Sequence, residues 1–151
     1  MPGGGIAVGN KIGQQTFAAL AFAASLATAQ SITGSAAAEV VDLDTEDLDT
    51  DSWYTPAGAS FQPDVAGVYL ITGQLTMAAF SGVLTVTLYR GVVEVARVDA
   101  VRTAAAATVQ ISQLVPMNGS TDALTMKVEH TDPSSRSVTA ASMAGILMGA
   151  L

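Results

Sequence analysis

The chain has 151 residues, enough for one domain with its own core plus an arm, and no cysteine, which excludes a disulfide framework and thiolate metal sites. Its formal charge is −7 and its six basic residues are scattered, so a grouped cationic surface for nucleic acid is excluded. Half of the residues are hydrophobic and 13% are charged, about half the usual fraction, so much of the surface is expected to be covered by copies of the chain or by partners.

Residues 1–38 carry a single charge, Lys11. The opening PGGGIAVGN is too rich in glycine to fold alone. In the following QQTFAALAFAASLA, Phe17, Leu20, Ala21 and Ala24 keep a helical spacing, and alanine favours a helix, so a short helix is expected there; Phe22 falls off that face. The run FAALAFAASLATAQ (17–30) imitates a secretory signal but lacks the positive leading region. It is also too short and too rich in alanine for a membrane span, and no membrane role is expected. Residues 1–26 are read as an arm. Its Ile6, Val8, Phe17, Leu20 and Phe22 are expected to anchor on a neighbour in an assembly, because their apolar surface is costly to leave in water.

The domain is read as 27–151, a series of short strands at the spacing of a sandwich. The predicted strands are 27–32, 38–44, 68–77, 83–90, 92–99, 107–115, 124–130 and 138–148. Leu84, Val86 and Leu88 alternate with Thr85 and Thr87, and Leu124, Met126 and Val128 alternate with Thr125, Lys127 and Glu129. That period of two marks strands with one buried face. Arg90-Gly91 predicts a tight hairpin, and Ser81-Gly82, Asn118-Gly119 and Asp132-Pro133 predict further turns. No long helical pattern interrupts the strands, which disfavours βαβ folds. From Ser137 to the end there is no charge, so the last strand is expected deep in a sheet or against another subunit.

Little in the chain points to catalysis. The one histidine, His130, beside Glu129 and Asp132, has no serine or carboxylate motif around it and reads as an exposed strand-end residue. GGG at 3–5 lacks the lysine and the strand-to-helix context of a phosphate loop. The acidic run EVVDLDTEDLDTDSW (39–53) offers Asp42, Asp44, Glu46, Asp47, Asp49 and Asp51 as oxygen ligands for calcium, but the glycine of a calcium loop is missing. A solvated acidic edge that blocks sheet-to-sheet aggregation is the favoured reading. Trp53 and Tyr54 are read as a plug for the end of the sandwich, with stacking on a sugar ring as the alternative. No enzyme activity, cofactor, metal or small-molecule substrate is expected.

Phe61 and Pro63, then AGVYLITGQLTM, a hairpin, a polar strand and a closing uncharged SMAGILM follow one another in an order that resembles the trimeric jelly-roll domain of the complement subcomponent-q head and tumour necrosis factor. The stretch AQSITGSAAAEVVDLDTEDLDTDSWYTPAGASFQPDVAGVYLITGQ resembles domains in virion proteins of tailed bacteriophages. The resemblance covers about residues 28–151 and departs at 115–123, where VPMNGSTDA lacks the usual glycine–aspartate turn. It implies an all-β antiparallel jelly-roll sandwich that forms a homotrimer, with Tyr69, Ile71, Met143, Ile146 and Leu147 at the subunit interface. It further implies a structural role on the virion, as a capsid decoration protein made in the bacterial host cytoplasm and held by its arm to the major capsid protein. A receptor- or glycan-binding module of a tail fibre or baseplate is the alternative.

Overall fold

The computed structural model describes residues 20–35 and 37–151. Ten strands follow in order: β1 (Ala21–Ser25), β2 (Gln30–Ile32), β3 (Glu39–Val40), β4 (Thr45–Asp49), β5 (Tyr54–Thr55), β6 (Ser60–Phe61), β7 (Ala66–Arg90), β8 (Val93–Asn118), β9 (Leu124–His130) and β10 (Arg136–Ala150). A single 3-10 turn at Pro56–Gly58 is the only helical element among the described residues. All pairings are antiparallel.

The strands form one sheet folded over on itself, and β7 and β8 make the fold possible. They pair with each other from Ala66↔Asn118 to Arg90↔Val93, and most of the register shifts fall between Met77 and Gly82. The first half of β7 pairs with β10 and the second half with β9. Each long strand therefore bends midway and passes from one layer to the other. Gly82 sits at this bend with φ of +120°, and a Cβ there would run into the Thr131 hydroxyl, so only glycine fits. The first layer runs β4-β1-β10-β7-β8 and the second β5-β6-β9-β7-β8, with β3 also on β9. The two predicted strands at 68–77 and 83–90 are thus halves of one element, as are 92–99 and 107–115.

Alternation decides what lies between the layers. Tyr69, Ile71, Leu75 and Met77 from β7 face inward against Leu124, Met126 and Val128 from β9 and Met143 from β10, all fully buried. An aromatic group fills one end. Phe22 stacks on Phe61 at 4.0 Å between centroids and lies parallel to Tyr54 at 5.7 Å. Tyr69 meets Phe61 and Trp53 edge-on. Each such pair adds about 0.5–1.5 kcal/mol beyond the area it buries. Arg90 and Val93 close the predicted hairpin, with Gly91 at φ of +59°. At 118–122 the Asn118 side-chain oxygen accepts from the amides of Ser120, Thr121 and Asp122, which builds a turn without a glycine–aspartate pair.

The start of the domain differs from the sequence reading. Residues 21–25 are not a helix but strand β1, held between β10 (Ala21↔Ile146) and β4 (Ala23↔Leu48). Phe22 is not an exposed anchor; it is 1% exposed, in the middle of the aromatic group. Leu20 packs on the core as well, and its carbonyl accepts from the Leu147 amide. The alanines that favour a helix locally are overruled by two flanking strands, which complete a ladder and bury Phe22 and Ala24 on one side. Ile6, Val8 and Phe17 lie outside the described residues.

Candidate assembly surface

The residues expected at a subunit interface split by the face they occupy. Tyr69, Ile71 and Met143 are buried within the single chain, so they are core residues and not a surface for a second copy. The Tyr69 hydroxyl donates to the Val65 carbonyl at 2.8 Å, and burial, with Asp64 and Asp51 adding to it, pushes its pKa up to about 12. Leu147 is partly buried against the core. Of the five, only Ile146 is exposed, at 36%. A strand that is apolar on both faces does not reveal which face is inside; here Tyr69, Ile71 and Gly73 took the interior and Val68, Leu70 and Thr72 the exterior.

The exterior of the first layer can be read row by row, because residues paired across antiparallel strands share a face. Ala21, Ile146, Leu70 and Leu114 form one row over β1, β10, β7 and β8. Leu48, Ala23, Ala144, Thr72 and Ser112 form the next. Ser25, Ser142, Gln74 and Gln110 form a third. None of these side chains is charged. The face grades from an apolar depression at Ala21, Leu48, Leu70 and Ile146 to an amide- and hydroxyl-lined one at Thr72, Gln74, Gln110 and Ser142. Leu48 and Leu114 are each about half exposed on it. Leu48, Leu70 and Leu114 were not named as interface residues from the sequence; the period-two alternation with Tyr69 and Ile71 is the signal that could have found Leu70.

The second layer presents a different exterior. Arg97 pairs with Asp99 at 3.1 Å, Thr85 donates to the same carboxylate at 2.6 Å, and the Lys127 ammonium lies over the Tyr89 ring at 4.6 Å. The Thr85 hydroxyl, with Arg97 helping, lowers the pKa of Asp99. This face carries charge, whereas the rows of the first layer carry none.

The acidic run spans β3, which pairs with β9, and β4, which pairs with β1. Its carboxylates serve the backbone: Asp44 accepts from the Ala27 amide, Glu39 from Thr33 and Asp49 from Tyr54. Among the described residues no three carboxylate or histidine side chains converge as a metal site. Trp53 and Tyr54 are buried, which leaves no ring face for a sugar; the Tyr54 hydroxyl donates to the Leu43 carbonyl, and burial, reinforced by Asp44 and Asp42, raises its pKa. His130 was read as exposed and is not: it faces inward after Leu124, Met126 and Val128 and is 2% exposed.

No family model matches the sequence, and no curated protein sequence matches it significantly. Solved structures do match in shape. The globular domain of zebrafish complement 1qA protein superposes with a TM-score of 0.72 at 14% identity, covering 88% of this chain and 99% of that one. Eiger TNF from S. frugiperda gives 0.68 at 11%, covering 88% and 94%. The PRD1 vertex protein P5 gives 0.62 at 16%, covering 85% and 96%. With the two bent strands, the two layers and these three likenesses, the chain folds as an all-β jelly roll of the complement-1q-head and tumour-necrosis-factor type.

Proposed function

We propose that this protein is a non-enzymatic structural component of a phage virion, working as a homotrimer that decorates the capsid. The observation that carries the reading is the uncharged exterior of the first layer, where Leu48, Leu70, Leu114 and Ile146 lie exposed or partly exposed beside alanine and serine. The apolar part of this face, at Ala21, Leu48, Leu70 and Ile146, gains by being covered, at roughly 25 cal/mol per Å² of apolar area removed from water. Copies of the same chain are the fitting cover, since a face without charge meets its own kind without repulsion. The likeness to the PRD1 vertex protein P5 supports a place on the virion. Segment 1–19, with Ile6, Val8 and Phe17, then serves as the anchor to the major capsid protein, and three weak anchors on one trimer act as one strong attachment.

Native mass spectrometry tests the assembly: a trimer is expected, and a stable monomer overturns the reading. Gold-labelled antibody on intact particles tests the place. Label spread regularly over the head supports decoration; label confined to the tail tip overturns it in favour of a fibre or baseplate module.

A further inference from the structure

The turn between β8 and β9 carries a reactive pair of residues. The chain has two asparagines, Asn10 and Asn118, and only Asn118 is followed by glycine. An asparagine in that position is chemically labile, because glycine has no side chain to shield its backbone nitrogen. The nitrogen can lose its proton to base and bond to the asparagine Cγ. The Cγ–Nδ2 bond then breaks, and Nδ2 leaves as ammonia with a proton taken back from solvent. Water opens the resulting imide ring at either carbonyl and leaves aspartate or isoaspartate. The net change consumes one water and releases one ammonia. Asn118 is exposed, so solvent base has access to it.

The fold restrains both reacting groups. Asn118 Oδ1 accepts from the amides of Ser120, Thr121 and Asp122, each at 3.0 Å. Nδ2, the leaving nitrogen, donates to Thr121 Oγ1 at 2.8 Å, and the Asn118 amide donates to the Asp122 carboxylate at 2.8 Å. Gly119 has a φ of +69°, and a Cβ there would run into the Ala66 amide nitrogen, so its backbone is packed against the start of β7. Gln62 Nε2 donates to the Ser120 carbonyl at 2.7 Å and holds the turn from the other side. Attack makes Cγ tetrahedral and swings Oδ1 and Nδ2 out of the plane that these partners fix. The three amides on Oδ1 also favour negative charge there. A loose turn would therefore speed the reaction, and a rigid one stops it.

We propose that Asn118 is a latent deamidation site, held unreacted in the folded chain by the 118–122 turn. Reaction waits on local opening of that turn. It is also one-way for the structure. Isoaspartate adds a methylene to the backbone where Gly119 has no room against Ala66, and aspartate sets a second carboxylate near that of Asp122.

Peptide mass spectrometry of the full chain, incubated at mildly alkaline pH and sampled over weeks, tests the site. Conversion at Asn118 is expected to be at least about tenfold slower in the folded chain than in the same chain unfolded in guanidinium chloride, the factor that a modest opening free energy gives. An equal or faster rate in the folded chain overturns the proposal. Thr121→Val removes the acceptor of Nδ2 and leaves the asparagine–glycine pair intact. Its folded rate, taken relative to its own unfolded rate, is expected to rise several-fold over the parent; an unchanged ratio overturns the part given to the turn.

Discussion

Asp132 shows how one side chain can tie loops together in an almost uncharged interior. Two backbone amides and the Arg136 guanidinium favour its ionised form, and its pKa falls to about 2 from an ordinary value near 3.9. The folded state thus holds the proton more weakly than the unfolded chain. The resulting stability is full above about pH 5 and is lost as pH falls through about 2. Asp132→Asn is expected to lower the urea midpoint at neutral pH, and the gap to the parent chain is expected to narrow between about pH 5 and pH 2. A constant gap would show that the ionised carboxylate is not what stabilises the loops. Gly145 makes a packing argument of the same kind. A Cβ there would collide with the Phe22 ring and come within 2.7 Å of Ile71 Cδ1, and Phe22 is stacked too closely on Phe61 to swing away. Gly145→Ala is expected to cost about 1–3 kcal/mol in a denaturant titration. Gly149, whose Cβ would meet nothing within 4 Å, is the matched control, and its alanine variant is expected to stay within about 0.5 kcal/mol.

At the scale of elements, β1 separates two truncations that look alike in the sequence. Removing residues 1–19 leaves every strand of the described residues in place, so the melting temperature is expected to stay close to that of the full chain. If the proposed anchor is right, capsid attachment is lost with it. Removing 1–26 takes Phe22 and Ala24 out of the core and frees the edges of β10 and β4, and that product is expected to unfold or aggregate. Phe22→Ala, at about 3–5 kcal/mol, is the milder version. The difference between β1 and β9 explains how much was legible beforehand. Leu124 to His130 alternates large apolar and polar residues, and the predicted span and β9 coincide. Residues 21–25 read AFAAS, where alanine fits either face of a strand and any face of a helix. Only partners far along the chain decide between them. The same limit hid the exterior face: the alternation within 68–77 was readable, but which set pointed inward was not, because Leu70 is as apolar as Ile71. His130 was misplaced because a lone polar residue ending a strand gives no sign of what closes the sandwich above it.

For the whole molecule, the two exteriors differ in charge: the described rows of the first layer carry none, and the second layer carries Arg97, Asp99 and Lys127. Leu70→Asp or Ile146→Asp places charge in the middle of the uncharged face, and if that face is the trimer contact, either variant is expected to run as a folded monomer in native mass spectrometry. A matched charge change on the other layer, such as Thr125→Asp, is expected to leave the trimer intact. Should all three variants assemble equally well, the contact lies elsewhere.

The pairing of β1 with β10 also sets the order of events during synthesis. Ala21 leaves the ribosome early, and its partner Ile146 is made near the end of the described chain. At about 5–20 residues per second the wait is on the order of 10 s. Through that interval Phe22 has Tyr54 and Phe61 to cluster with, but no strand on the β10 side to fix it. β7 and β8, joined by a two-residue hairpin, meet their partners as soon as they emerge. The β7–β8 ribbon is therefore the first long pairing the nascent chain can complete, and the other edge of β7 stays open until β9 and β10 arrive.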